Sequence, residues 1–348
     1  MKNINEIHLE DIIDSLRTAH VKLDLEFLKK LLKNASGSDK SWRNVEFGKK
    51  IGCTINTEIH IVNGINGWIN GHTTVPVPKL IKIVELSDYN WIDIENNLSS
   101  IKAGRKKGEI RPRFPMKIGH KIGLIVGHIL GDGAINKRGE SIFFCNSNPE
   151  LLNEFIECMK DFFGLEPRIW VQKPKKFEEK TQWLKRVTKI EDAPQNHVVG
   201  LFYPKICVQI IKSIFGNFAD GKEKRITQEI KESDSEFKRG LIRAFFDDEG
   251  TVYKDRCMMR LFQDRKDILE EIKSMLEEFN ISSSRIRSCI KRDKERHYFD
   301  ITNYFDFLSF YKRIGCTSTY KKISFESSIA LLRKGRKSKY ILSLETTL

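Results

Sequence analysis

Two stretches of this chain, IGLIVGHILGDG at 122–133 and GLIRAFFDDEG at 240–250, make the same demand on any fold that contains them. Residues four apart share a helix face, so a helical first stretch lines up Gly123, Gly127 and Gly131, and a helical second stretch lines up Gly240, Ala244 and Asp248. Glycine inside a helix costs about 0.5–1 kcal/mol against alanine. A face made of glycine therefore needs a compensating gain, and close approach of a second helix backbone supplies one. The two segments are expected to pack on each other through Gly123, Gly127, Gly131, Gly240 and Ala244, and whatever follows each must be arranged about that shared pair.

Each helix is expected to end at a glycine, Gly133 or Gly250, with an acid just before it: Asp132 in one, and Glu249 after Asp247 and Asp248 in the other. Carboxylates are unfavourable at the negative end of a helix dipole, where lysine or arginine is the usual choice. If the helices run parallel, these ends meet and the repulsion grows. In a chain with 61 Lys+Arg against 47 Asp+Glu and a formal net charge of +14, that points to a bound divalent cation. Hard oxygen ligands without His or Cys suit Mg²⁺, which binds through one or two carboxylates plus phosphate and water, and Mn²⁺ can substitute.

The repeat extends beyond the helices. Strand-like stretches AINKRGESIFFCN and TVYKDRCMMRLFQ follow, then amphipathic helices NPELLNEFIECMKDFFG and KDILEEIKSMLEEFN, then strand candidates PRIWVQK in one copy and SRIRSCIKR with RHYFDITN in the other. Both copies close with a small apolar helix and a lysine-bearing turn. The expected class is α+β, a pseudo-symmetric duplicated αββαββα with antiparallel strands. Alternation in SRIRSCIKR sets Arg285, Arg287 and Lys291 opposite Ile286 and Ile290, a cationic face against a core face. In PRIWVQK it sets Arg168, Trp170 and Gln172 opposite Ile169 and Val171, a mixture suited to phosphate and base-edge contacts.

The nonapeptides IVGHILGDG (125–133) and IRAFFDDEG (242–250), each heading that string of elements, resemble the two LAGLIDADG motifs of single-chain homing endonucleases. The resemblance covers roughly residues 116–325. It implies two four-stranded antiparallel sheets forming a saddle over the DNA major groove, motif helices at the pseudo-twofold axis, and metal binding by the last acid of each motif. Those acids are Asp132 and Glu249 here. Ala244 stands where many members have glycine, and His128 sits at an ordinarily apolar position. The implied activity is divalent-metal-dependent, site-specific double-strand DNA cleavage by a monomer at a long recognition site. The family also places a basic residue near each scissile phosphate, for which Lys222 and Lys321 are the candidates, with Lys224 and Lys322 fitting almost as well. The alternative is a catalytically silent DNA-binding transcription regulator or an intron RNA splicing factor (maturase) with intron RNA as partner. A pure binder gains nothing obvious from two paired acids, which favours the enzyme.

Around this unit the chain divides into an N-terminal all-α helical domain at 1–101, a basic Gly- and Pro-rich linker at 102–115, halves at 116–226 and 227–330, and a basic tail at 331–348. Helical periodicity is expected through residues 1–33. EFGKKIGC and GWINGHTTVPVPKLIKIVEL faintly resemble a helix-turn-helix module, whose helix would enter the major groove. The sequence pI of about 9.3 favours a polyanionic partner. The longest apolar run, IGLIVGHIL, is far short of the roughly 20 residues that span a bilayer, so no membrane association is expected. Seven scattered cysteines without a CxxC pair argue against a disulfide framework or zinc site and for reduced thiols in the cytoplasm. The ends MKNIN and ETTL lack the first Cys or Ser and terminal His-Asn of inteins, so a free-standing protein is expected.

Overall fold

The first motif helix spans His120–Leu130 and the second Ser235–Glu249. Asp234 starts the second by accepting the Phe237 N–H at 2.7 Å, an N-cap that satisfies an otherwise unpaired amide. The computed structural model describes residues 5–37, 45–53, 58–103, 108–136, 138–172, 183–194, 197–220, 223–291 and 294–335. The two helices run parallel. A β-carbon built on Gly123 would collide with the Phe237 carbonyl oxygen, one on Gly127 with the Leu241 carbonyl, and one on Gly131 with the Asp248 carboxylate. Reciprocally, a β-carbon on Gly240 would strike the His120 carbonyl, and Ala244 lies against the Gly127 site at 2.9 Å. At Gly123, Gly127 and Gly240 the neighbour is backbone, an approach that only glycine allows.

Each motif helix leads into an antiparallel sheet. The second sheet has four strands in the order Gly250–Tyr253, Met258–Gln263, Lys294–Ile301, Arg287–Lys291. The first has five rather than four: Trp183–Val187, Arg168–Gln172, Val198–Pro204, Ser141–Asn146, Gly133–Ile135. The extra strand, Trp183–Val187, pairs with Arg168–Gln172 through a register shift at its start. Its five residues, WLKRV, break the alternation of a half-buried strand and so carry little strand signal. One face of each sheet is core: Phe144, Ile169, Val171 and Leu201 in the first and Met259, Leu261, Phe299 and Ile301 in the second are buried. The amphipathic helices Pro149–Phe163 and Lys266–Glu278 supply further buried residues, including Phe155, Met159, Ile272 and Leu276. The molecule is α+β, mixing helices with antiparallel sheets. No helix among the described residues is long and apolar enough to cross a membrane.

The N-terminal region corrects the all-α expectation. Alongside helices at Leu25–Ser36, Val45–Lys50, Glu58–Ile69, Val77–Glu85 and Trp91–Asn96 it carries a four-stranded sheet ordered Val75–Pro76, His20–Leu23, Leu98–Lys102, Glu109–Ile110. The strand His20–Leu23 also interrupts the helix expected through residues 1–33. These strands are two to five residues long and pair across large separations, such as Val21 with Val75 and Ile101, so local periodicity cannot register them.

The stretch 102–115 is likewise more than a linker where it is described. Ile110 is fully buried and pairs with Ile101, and the Arg111 N–H donates to the Phe163 carbonyl at 2.8 Å in the first half. Further bonds tie the N-terminal region down: Glu6–Ile7 pairs with Met116–Lys117, and Gln209 Nε2 donates to Thr18 Oγ1 at 3.1 Å. At the other end the helix Thr319–Gly335 continues past residue 331, where a tail was expected.

Candidate functional site

Parallel packing carries the ends of both motif helices to one place. The second helix runs to Glu249, with Gly250 extended after it. The first stops two residues before the expected point, at Leu130, because Gly131 leaves helical geometry at ψ −112°; Asp132 thus sits in a turn before the strand that begins at Gly133. Asp248 reaches across the axis beside Gly131, and its Oδ2 accepts the Asp132 N–H at 3.2 Å. Asp132 Oδ2 accepts from Asn146 Nδ2 at 3.0 Å.

The carboxylates crowd each other. Surrounding protein, and then the charges of Asp248 and Glu249, hold the Asp132 carboxyl above the usual carboxylate range, although its exposed side chain lets solvent dilute the effect. Burial raises Glu249 as well, and Arg296 opposes the rise. A divalent cation would relieve this repulsion, so the donor set fits a hard metal held by one acid from each half. It is no preformed cage: among the described residues, no group of three or more His, Cys, Asp and Glu side chains is arranged to hold a metal.

A lysine stands behind each helix end. Lys224 Nζ donates to the Leu130 carbonyl at 3.1 Å and to that of Gly131. Lys321 Nζ donates to the carbonyls of Phe246 at 2.6 Å and Asp247 at 2.7 Å. Each places a cation on the negative end of its own motif helix, and burial lowers the pKa of both. Their scaffolds differ: Lys224 is on the short strand Glu223–Lys224, Lys321 in the first turn of Thr319–Gly335. Lys222 lies outside the described residues, and Lys322 is exposed.

Between the helices lies a buried charge chain. His128 is fully buried, with Nδ1 3.0 Å from Asp248 Oδ2 and Nε2 3.5 Å from Glu154 Oε2. Burial alone would lower its pKa, but the carboxylates of Asp248 and Glu154 outweigh that and raise it to about 10. Arg243 Nη2 reaches Glu154 Oε1 at 2.8 Å, and Asp247 Oδ2 accepts the Thr317 N–H at 2.6 Å. Both acids of the DD pair before Glu249 are thus turned inward.

The outer faces of the sheets are the expected nucleic-acid surfaces. Arg168 and Arg287 are exposed, Trp170 is half-buried, and Arg285 is exposed just before its strand. Gln172 corrects the expectation. It is buried, although it shares a strand face with exposed Arg168. Ile290, assigned to the core face, is 81% exposed. The hairpin carrying it runs beyond the neighbouring strand Met258–Gln263, whose last paired residue is Gln263 opposite His297, so the Ile290–Glu295 pair has no core beneath it. Lys291 ends its strand, but its side chain lies outside the described residues.

Sequence reasoning missed the densest cluster on this surface. The Arg260 guanidinium lies 4.0 Å from the Tyr298 ring centre and bonds Asp300 at 2.6 Å, and Arg296 lies 5.6 Å from the Phe262 ring. Alternation in RLFQ and RHYFD carried the signal, since Arg260 and Phe262, like Arg296 and Tyr298, share a face.

Residues 236–315 match the family model described as LAGLIDADG-like domain. Over 222 residues, 62% of this chain, the sequence is 23% identical to the DNA-directed RNA polymerase subunit Rpo1C of Methanocaldococcus jannaschii; the match covers 23% of that subunit. The chain thus spans less than a quarter of the relative's length. Among solved structures it is similar to full-length DUF199/WhiA from Thermatoga maritima (14% identity, TM-score 0.40, 66% of each chain). It is also similar to I-DmoI in complex with DNA and Mn (13% identity, TM-score 0.39, 57% of this chain and 98% of that one).

Proposed function

We propose that the protein is a site-specific double-strand DNA endonuclease of the homing type, working with Mg²⁺ or Mn²⁺. The observation that carries this reading is the meeting of Asp132 and Glu249, one from each half, at the shared end of two parallel helices, flanked by Lys224 and Lys321. Paired acids in mutual repulsion are unfavourable in the free protein and become useful when a cation and phosphate arrive.

The metal, held by Asp132 and Glu249, would activate water and stabilise the leaving oxygen of a phosphodiester. The chain's own residues do the rest. Asn146 orients Asp132, Asp248 fixes the Asp132 turn through its backbone N–H, and the two lysines offset negative charge behind the acids. The lysine beside the first half's phosphate is then Lys224, in the role expected of Lys222. Arg168, Trp170, Arg285, Arg287 and the Arg260–Tyr298 stack would contact duplex DNA as a monomer spanning a long site. The N-terminal region would add a second DNA contact through its helix-turn-helix-like segment.

Purified protein should linearise a plasmid carrying its site only with Mg²⁺ or Mn²⁺ present. Asp132→Asn and Glu249→Gln should each cut cleavage roughly a hundred- to thousandfold, the range for losing a group that stabilises transition-state charge, with duplex affinity in Ca²⁺ within about tenfold because phosphate contacts dominate it. Cleavage in excess EDTA would overturn the metal-dependent reading. Duplex binding without cleavage on a library of candidate sites would leave a DNA-binding regulator instead.

A further inference from the structure

Glu249 and Asp132 occupy equivalent places, but their partners differ in kind. Asp132 accepts from a neutral amide, Asn146. Glu249 is engaged by a cation: Arg296 Nη2 donates to its Oε2 at 3.1 Å while Nε donates to Asp264 Oδ1 at 2.7 Å. Among its described residues the first half has no such arrangement, because the strand position matching Arg296 is Val198; Arg296 lies one residue before His297, the partner of Gln263, as Val198 lies one before Val199, the partner of Asn146. A guanidinium on a carboxylate occupies a lone pair that a metal needs and repels a second positive charge.

We propose that Arg296 is a gate on the second acid: in the DNA-free protein it holds Glu249 closed to divalent cations, and a DNA phosphate offers it a replacement acceptor. The inference rests on the metal-dependent reading above. Arg296 is suited to the exchange because its Asp264 partner is exposed and it stands on the same outward face as Arg260 and Arg287, where phosphate would arrive. Guanidinium binds phosphate with two parallel hydrogen bonds, at least matching what it gives up. Metal and duplex then bind in linkage, each strengthening the other by the same factor, and the acids load unequally, Asp132 without DNA and Glu249 with it. Arg296 acts here through Glu249, as a positioning residue.

The test is Mn²⁺ binding to the full-length, DNA-free protein, followed by electron paramagnetic resonance. Arg296→Gln should bind Mn²⁺ about tenfold more tightly than the parent, within the usual range of coupling between sites. Arg296→Lys, which keeps the charge, should stay near the parent, and Glu249→Gln added to Arg296→Gln should abolish the gain. Equal or weaker binding by Arg296→Gln, with Glu249→Gln still lowering affinity, would overturn the gate and leave the metal site standing. No saturable Mn²⁺ binding by any variant, Asp132→Asn included, would overturn the metal reading and the gate with it. Thermal melts of Arg296→Gln and Arg296→Lys establish that each is folded.

Discussion

Aligned through their strand registers, the two halves present opposite chemistry outward. Where the second sheet has Arg260, Arg287 and Arg296, the first has Phe143, Trp170 and Val198; where the second has Asp300, the first has Phe202, in a ring stack with Phe143. At the helix pair the halves differ little: Gly123 meets Phe237 as Gly240 meets His120. The lesson is that a duplicated fold keeps whatever touches backbone to backbone, because no side chain fits there, and lets its outward faces diverge. Apart from Ala244 facing Gly127, the break at the axis is polar: Asp248 stands opposite Gly131, and buried His128 answers it.

The strongest way to break this comparison is at the glycine contacts. Gly127→Leu should abolish cooperative folding of the unit, since overpacking costs about 1–3 kcal/mol even where neighbours can shift and the Leu241 carbonyl cannot. Gly123→Ala and Gly240→Ala should lower Tm by similar amounts, and calorimetry that finds only one of them harmful would refute the axial symmetry.

A smaller effect tests the polar break. His128→Phe should cost about 3–5 kcal/mol, because it strands a buried carboxylate at Asp248. Adding Asp248→Gly restores a first-half-like axis and should recover much of the loss, since the ring site beside Phe144 and Phe155 is already aromatic. The pH dependence follows from His128, whose folded pKa of about 10 lies above its ordinary 6.5. Its contribution is complete below pH 6.5 and is lost as pH rises through about 10. Denaturant titrations should show the parent losing stability over that range and the double variant holding flatter.

The least disruptive changes sharpen the contrast between outer faces. Arg287→Ala should leave Tm nearly unchanged and reduce the salt slope of duplex binding by about 1. Trp170→Ala should weaken binding without altering the slope, because it removes apolar contact and no charge. Equal slope changes in both would mean that the faces do not divide the work this way.

Legibility in the sequence followed the range of the interaction. Periodicity and spacing exposed the motif helices, the amphipathic helices and both terminal acids, since each rests on residues within a few positions of one another. The strand Trp183–Val187 did not show because WLKRV lacks alternation, and the N-terminal sheet did not because its short strands acquire their meaning from distant partners. Arg296 and Tyr298 were visible as an alternation in RHYFD, but nothing local tied Arg296 to Glu249.

By itself, then, the sequence determined that two glycine-faced helices had to meet and that two acids followed them, because a missing side chain has one steric meaning wherever it occurs in a helix. Only the tertiary structure decided which groups each acid faces: an amide for Asp132, a guanidinium for Glu249, and for the DD pair an inward turn toward Thr317 and His128. Charge pairing depends on distances between strands and helices far apart in the chain, and packing alone sets those distances.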